Sequence, residues 1–207
     1  LAQFCHRSGA RLIHYSTDYV FPGHGERPWV ETDTTKPVNF YGFSKCEGEI
    51  QITQHCEKYF ICRTSWGFSE TRKNFPKTIL QLAQEKPQIK IVSDQIGNPT
   101  SARYLAQVAE RAIGLDAFGS YHTACSGFVS WFDFAKEIIR VGSIIQPAGT
   151  SDALDCLISP IPSEHFPVPA KRPLNSRLDC SKWEKVAAMI APKWEDELLH
   201  FMKVYIV

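Results

Sequence analysis

An early strand, helix and strand constrain the fold of this 207-residue chain more than any other feature. Residues 11–15 form a short apolar run, residues 40–55 carry a helical pattern, and residues 59–63 form a second apolar run. Glycine and proline punctuate residues 21–38, which we predict to be a long loop. A strand, a long helix and a further strand in this order are typical of a βαβ unit with parallel strands. The sequence therefore predicts an α/β fold.

The rest of the chain continues the alternation of strands and helices and then becomes rich in loops. Gly9 is expected to end a short helix at residues 2–8 as its C-terminal cap. Further predicted elements are strands at 89–93 and 121–124, a turn at 97–100, helices at 75–85, 101–113, 131–141, 180–190 and 192–204, and an irregular, proline-rich segment at 143–178. This pattern predicts the C-terminal part of a doubly wound, Rossmann-like parallel sheet and a smaller α/β region that covers the substrate.

A tyrosine and a lysine in the first long predicted helix indicate chemistry. Tyr41 and Lys45 stand four residues apart, so both side chains lie on one face of the helix. A fixed ammonium group beside a phenol favours the phenolate form. Ser16 and Thr17 fall at the carboxyl end of the first strand, where ligands bind in open parallel sheets, and a hydroxyl there can hold a substrate oxygen. Together these residues predict a proton-transfer site for interconverting a carbonyl and an alcohol.

Composition and charge exclude several kinds of binding partner. The formal net charge is +1 and like charges do not cluster, which argues against nucleic acid or a membrane surface as the main partner. No apolar run reaches the roughly 18 residues that span a bilayer. The seven cysteines and seven histidines are scattered without a metal-ligand spacing, so we expect reduced thiols, a cytoplasmic location and no metal site.

A glycine-rich phosphate-binding turn is absent from this sequence. The nearest pattern is Gly23-x-Gly25, and Pro28 follows in what reads as a turn, so no helix can begin there against a pyrophosphate. The sequence thus contains residues for the reaction but not those for the phosphates of a dinucleotide.

Several motifs occur in a characteristic order along essentially the whole chain. The main ones are Ser16-Thr17-Asp18-Tyr19-Val20-Phe21, Tyr41-x-x-x-Lys45 and Arg63-Thr64-Ser65-Trp66. Others are Pro28-Trp29, Glu31-Thr32-Asp33, Asp94-Gln95-x-Gly97-x-Pro99-Thr100 and Pro169-Ala170-x-Arg172-Pro173-x-Asn175-Ser176. This ordered set resembles the extended short-chain dehydrogenase/reductase superfamily and, more narrowly, its dTDP-4-dehydrorhamnose reductase family.

The resemblance implies an oxidoreductase of nucleotide-sugar and cell-surface polysaccharide biosynthesis. The implied reaction is the NADPH- or NADH-dependent reduction of the C4 ketone of dTDP-4-dehydro-β-L-rhamnose to dTDP-β-L-rhamnose. Tyr41 would protonate the sugar oxygen, Lys45 would assist Tyr41 and bind the nicotinamide ribose, and Thr17 would hydrogen-bond the reacting oxygen. The implied cofactor contacts are Ser16, Tyr41 and Lys45, and the implied contacts to the dTDP-sugar are Thr17, Asp18, Trp66 and Arg172. Arg172 can either bind the substrate diphosphate bidentately or organise its proline-rich loop through an ion pair.

The resemblance also implies a division of the chain. Residues 1–65 and 101–125 would be the remaining part of the NAD(P)-binding domain, and residues 66–100 and 126–207 would form the substrate-binding region. The first β-α-β-α-β half, about 80–90 residues, would be missing. Because that half holds the residues that distinguish NADPH from NADH, both cofactors remain open, as does activity of this chain alone.

Two other functions and the oligomeric state remain open as well. A related nucleotide-sugar epimerase or dehydratase would share the Tyr-x-x-x-Lys pattern, although dehydratases usually carry an acidic pair after the threonine, where this chain has Asp18 and Tyr19. A non-catalytic binding subunit on the same fold is the third hypothesis. A homodimer is compatible with the resemblance.

Overall fold

The computed structural model describes residues 1–145, 156–166 and 168–206. Its helices are α1 (Ala2–Ser8), α2 (Phe40–His55), α3 (Phe75–Glu85), α4 (Ala102–Ile113), α5 (Trp131–Ile145), α6 (Ser181–Ala187) and α7 (Trp194–Ile206). Its strands are β1 (Leu12–Thr17), β2 (Tyr59–Thr64), β3 (Gly67–Phe68), β4 (Gln88–Val92), β5 (Ile96–Gly97), β6 (Thr100–Ser101), β7 (Gly119–His122), β8 (Val129–Ser130), β9 (Leu157–Ile161) and β10 (Asn175–Ser176). Short 3₁₀ helices cover Asp18–Val20 and Ser163–His165.

The predicted βαβ unit is present and forms part of a parallel sheet. Strands β1 and β2 pair in parallel from Leu12 opposite Tyr59 to Thr17 opposite Thr64, and β7 pairs in parallel with the other side of β2. Helix α2 has the predicted bounds and begins where the Asn39 side chain accepts a hydrogen bond from the Gly42 amide. The α/β, Rossmann-like fold class is therefore confirmed.

Helices cover both faces of this sheet. On one face, Ile61 of β2 packs with Cys5 of α1 and Ile52 of α2. On the other face, Phe60 and its neighbours join the larger core, which includes residues of α3 to α7. Because successive strand residues point to opposite faces, β2 is almost continuously apolar, as expected for a strand buried on both sides.

The predicted ends of several elements are confirmed and others differ. Gly9 has a φ of 69° and caps α1, a conformation that costs glycine little. Ser101 caps α4 by accepting from the Tyr104 amide. The strand predicted at 121–124 instead covers Gly119–His122, and α5 extends to Ile145 rather than 141.

The segment 143–178 is not irregular throughout, contrary to the prediction. Strand β9 pairs in parallel with β4, and β10 pairs with β5, whose other edge is paired with β8. The predicted turn at 97–100 likewise contributes to two short strands, β5 and β6. These strands are two to five residues long and form by pairing with distant parts of the chain, so local sequence carries little signal for them. The remainder of this prediction, at residues 146–155 and 167, lies outside the described residues.

Within the described ranges, none of the helices has both the length and the apolar character needed to cross a bilayer.

Candidate active site

The carboxyl end of β1 presents the predicted Ser-Thr-Asp residues, and all of them are buried. Thr17 Oγ1 donates to Asp18 Oδ1 at 3.1 Å and accepts from the Tyr19 amide at 3.2 Å. The Ser16 hydroxyl has no hydrogen-bond partner within the described part of the chain. A buried hydroxyl of this kind normally has a partner, so it is available to a ligand.

Burial shifts the proton affinity of Asp18. It raises the pKa of the carboxyl group to about 7, and hydrogen bonds from Ser176 and Thr17 oppose that rise only in part. Near neutral pH the carboxyl is thus partly protonated and can either donate or accept a hydrogen bond. Ser176 belongs to β10, so Asp18 connects the end of β1 to β10.

Helix α2 packs closely on the turn that follows β1. A side chain at Gly42 would collide with the carbonyl of Tyr19, so this close approach requires glycine. The contact brings the ring of Tyr41 to 5.6 Å from the ring of Tyr19 in an edge-to-face arrangement. Tyr41 keeps 53% of its surface exposed and can therefore reach a bound molecule.

Lys45 is anchored one helical turn after Tyr41. Its Nζ donates to the Tyr15 carbonyl at 2.5 Å and lies 3.3 Å from His14 Nε2. Partial burial lowers the pKa of Lys45, and the nearby Glu49 carboxylate opposes this effect. The ammonium group is consequently held against β1 immediately before the Ser-Thr-Asp residues.

A buried ion pair lies beneath this lysine. Arg63 of β2 donates to both carboxylate oxygens of Glu49, with Nη2 to Oε2 at 2.6 Å and Nε to Oε1 at 2.9 Å. Both residues are at most 6% exposed. Sequence reasoning missed this pair, and the only signal was that Glu49 follows Lys45 by one turn on the same helix face.

Trp66 has an unusual backbone and a stacked ring. Its φ of 50° lies in the left-handed region, which is uncommon for a residue other than glycine. The indole stacks on Trp131 with ring centroids 3.6 Å apart and planes within 10°. A Cβ at Gly97 would lie 2.7 Å from the Trp66 ring and 3.0 Å from Ser176 Cβ, so glycine makes room for the indole beside β10.

Arg172 lies at the edge of a cavity of about 570 Å³. Phe75 and Trp131 line the same cavity. Sequence reasoning missed Trp131 as a lining residue, since an aromatic residue at the start of a helix is most often packing.

Tyr19 lies near Asp18, Tyr41 and Arg172. Burial, Asp18 and Tyr41 raise its pKa to about 12, and the positive charge of Arg172 acts against that rise. Arg172, Asp18 and Tyr41 therefore all act on the Tyr19 ring. Tyr19 stands in the Ser16–Phe21 motif, but the sequence pattern did not indicate a role for it in the site.

Hydrogen bonds from three further side chains connect segments that lie far apart in the chain. Asn39 Nδ2 donates to the Lys171 carbonyl at 2.8 Å, which joins the start of α2 to the loop that carries Arg172. Trp29 Nε1 donates to the Asn175 carbonyl at 3.0 Å. Asn98 bonds through its amide to Cys125, Gly127 and Leu178 backbone groups. These residues hold the loops in place.

The predicted site residues thus form two groups. Ser16, Thr17, Asp18, Tyr41 and Lys45 meet where β1 ends and α2 begins. Arg172 lines the cavity, and Trp66 stacks on Trp131, which lines it too. Within the described ranges no ring contact joins Trp66 to Tyr41. Among the described residues, no three His, Cys, Asp or Glu side chains lie together in a way that could hold a metal ion.

The parallel sheet, the Tyr–Lys helix and the Ser-Thr-Asp strand end define a Rossmann-like chain of the short-chain dehydrogenase/reductase type. The chain belongs to the family described as the RmlD substrate binding domain, whose family model matches residues 1–207.

Similar proteins agree with this family. A dTDP-4-dehydrorhamnose reductase from Escherichia coli (strain K12) is 40% identical over 200 residues, which cover 94% of this chain and 66% of the relative. The chain therefore spans about two thirds of the length of that relative. A crystal structure of a dTDP-4-dehydrorhamnose reductase from Clostridium acetobutylicum has a TM-score of 0.92 at 35% identity, covering 100% of this chain and 70% of that one. A second, from Bacillus anthracis in complex with NADP, has a TM-score of 0.88 at 34% identity, covering 97% and 68%.

Proposed function

We propose that the protein carrying this chain reduces the C4 ketone of dTDP-4-dehydro-β-L-rhamnose to dTDP-β-L-rhamnose with NADPH or NADH. The observation that carries the proposal is the placement of Tyr41 and Lys45 over the Ser-Thr-Asp end of β1. The names of the E. coli and C. acetobutylicum relatives support the same reaction.

The residues present fit the nicotinamide end of the cofactor. Lys45 has three N–H donors, of which the Tyr15 carbonyl and His14 Nε2 can accept two, so one remains for a ribose hydroxyl. The unpartnered Ser16 hydroxyl can bond a polar group of the same ligand. When bound, the reduced nicotinamide supplies the hydride. The NADP in the B. anthracis relative supports a dinucleotide, whereas no residue of this chain is assigned to its phosphates.

The chain's own residues move and stabilise the proton. In the proposed reaction, Tyr41 breaks its O–H bond and gives the proton to the C4 oxygen, so that the ketone becomes an alcohol. In the structure the Thr17 hydroxyl donates to Asp18 Oδ1, and in the proposed reaction it turns to donate to the same C4 oxygen. A donor at the oxygen where charge develops lowers the barrier, because it stabilises the transition state more than the ketone.

We propose that the dTDP-sugar lies between the two groups of residues. Arg172 is exposed at the edge of the cavity, and its guanidinium can bind a diphosphate bidentately. Trp66 is half-buried and stacks on Trp131, which lines the same cavity, so the exposed part of its indole can contact the sugar. The test is Arg172→Ala, which should raise the KM for the dTDP-sugar more than it lowers kcat. Lys171→Ala, which removes the adjacent exposed cation, is the control.

The reaction is tested by following NADPH and NADH oxidation with the dTDP-sugar in a protein that contains this chain. Tyr41→Phe is expected to lower kcat by about 10²–10⁴-fold, the usual contribution of a general acid. Tyr205→Phe makes the same change at an exposed tyrosine of α7 and should leave kcat unchanged.

The outcomes separate the three functions. Stoichiometric cofactor oxidation that is lost in Tyr41→Phe supports the reductase. Turnover of the sugar with retained, unconsumed cofactor would indicate an epimerase or dehydratase instead. Binding of the dTDP-sugar without any turnover would indicate a non-catalytic subunit.

Three further properties are proposals. We propose a division into an NAD(P)-binding part, residues 1–65 and 101–125, and a substrate-binding part, residues 66–100 and 126–207. The β1–β2–β7 sheet falls within the first part.

We also propose a cytoplasmic location, which the buried thiols of Cys5, Cys46, Cys56, Cys62 and Cys125 support. A homodimer is proposed as well, and sedimentation equilibrium tests it.

A further inference from the structure

His14 lies directly beside the lysine of the proposed site. It belongs to β1, is half-buried, and places Nε2 3.3 Å from Lys45 Nζ. The same Nζ donates to the carbonyl of Tyr15, the next residue of β1. A Cβ at Gly48 would lie 4.0 Å from His14 Nε2, so the imidazole rests against α2 within one turn of Lys45.

The chemistry of this contact requires a particular state of His14. An ammonium group has three donors and no acceptor, so Nε2 can bond it only when that nitrogen carries no proton. An imidazolium at 3.3 Å would instead face Lys45 with a charge of the same sign.

The surroundings favour the neutral imidazole. Burial lowers the pKa of His14 and the charge of Lys45 lowers it further, whereas Glu49 acts in the opposite direction. Lys45 and Glu49 are both on α2, and Glu49 is itself paired with Arg63 of β2. The carboxylate that could have stabilised an imidazolium is thus already neutralised by an arginine.

We propose that His14 is a positioning residue, whose neutral imidazole holds the Lys45 ammonium group in place and whose protonation in acid releases it. The role rests on the proposed reductase function, because Lys45 matters there through Tyr41 and the cofactor. Two experiments separate the contact from the reaction.

The first experiment measures the contact without any turnover. The imidazole titration of His14 is followed by NMR, with its signal assigned by its absence in His14→Gln. Lys45→Met removes the neighbouring charge and should raise the pKa of His14, whereas Lys203→Met on α7 should leave it unchanged. An unmoved titration in Lys45→Met overturns the proposed pairing.

The second experiment measures the pH dependence of kcat. His14→Leu removes the acceptor and is expected to lower kcat by about tenfold at pH 7.5, with the KM for the sugar unchanged. His14→Gln offers a carbonyl oxygen to Lys45 and should restore most of the rate. It should also remove the loss of activity in acid, because glutamine does not become charged. An acid limb in His14→Gln identical to that of the wild type overturns the positioning role.

Failure of the two proposals can be distinguished. A wild-type protein that binds but does not reduce the sugar overturns the reductase function, while the NMR titration still decides whether Lys45 and His14 are coupled. Normal turnover with an unmoved His14 titration overturns only the role of His14.

Discussion

The candidate site has two halves that are built differently. The strand–helix half comprises the end of β1, residues 14–18, and helix α2. The loop half comprises Trp66, residues 94–100 and residues 168–180. In the strand–helix half, side chains project from regular elements and pair with one another, as in Lys45–His14 and Glu49–Arg63. In the loop half, Asn98 bonds backbone groups of distant segments, and the Asn175 carbonyl accepts from Trp29 of the loop at 21–38.

The difference shows how each half obtains its rigidity. A helix and a strand already satisfy their own backbone hydrogen bonds, so their side chains are free to interact with each other and with a ligand. The loop half has only two-residue strands, so many of its backbone groups are satisfied by side chains from elsewhere in the chain. A substitution in the first half should therefore alter charge and chemistry, whereas one in the second half should loosen the substrate side.

The largest expected effect concerns the ion pair of the strand–helix half. Glu49→Ala leaves Arg63 buried without its carboxylate and is expected to reduce the free energy of unfolding by about 3–5 kcal/mol. Denaturant unfolding measures this loss. Glu47→Ala, at an exposed position of the same helix, should change stability by less than about 0.5 kcal/mol. Equal losses of unfolding free energy in the two variants would show that this pair does not anchor α2.

The next largest effect is the pH dependence of stability caused by Asp18, which lies where the two halves meet. The pKa of Asp18 rises from 3.8 to about 7 on folding, so the native state holds the proton more tightly than the unfolded state. The contribution of Asp18 to the free energy of unfolding should therefore be most favourable below pH 3.8. It should be lost as the pH rises through 7.

Asp18→Asn removes that penalty. It should stabilise the protein at pH 8 by roughly 2–4 kcal/mol and change little at pH 4. Unfolding free energies of both proteins at several pH values measure the difference, with the exposed Asp196→Asn as control. A gain of the same size at both pH values would show that burial does not perturb the carboxyl group.

A smaller effect is expected from the loop half. Asn98→Ala loses the bonds to the Cys125 and Gly127 carbonyls and to the Leu178 amide, and should cost about 2–3 kcal/mol of stability. We expect it to raise the KM for the dTDP-sugar with less change in kcat. Gln84→Ala, at an exposed position of α3, is the control. A fall in kcat at constant KM would instead assign Asn98 to the reacting side of the site.

The smallest effect lies where the halves are tied together at the start of α2. Asn39→Ala removes the helix cap on the Gly42 amide and the bond to the Lys171 carbonyl, with an expected loss of about 1 kcal/mol. Thermal unfolding compares it with Ser44→Ala, whose exposed hydroxyl bonds only its own helix. If both variants melt alike, the cap contributes nothing measurable.

Much of the strand–helix half could be predicted from the sequence. The bounds of α2, the glycine cap of α1 and the shared face of Tyr41 and Lys45 follow from periodicity and capping, which act over a few residues. The position of Ser16 to Asp18 at a strand end followed from the same local pattern. The motif order further indicated the family, which the comparisons establish.

The remaining features depend on contacts between residues far apart in the chain. Arg63 pairs with Glu49 only because β2 lies under α2, and Trp66 stacks on Trp131 only because the fold brings these distant residues together. Strands β9 and β10 form by pairing with partners more than 65 residues away in sequence. Local backbone geometry sets the longer helices, strands β1 and β2 and the spacing of Tyr41 and Lys45, so the sequence alone predicts them. Which buried charges pair, which indoles stack and how the loops are held depend on tertiary contacts, because burial and desolvation arise when distant segments pack together.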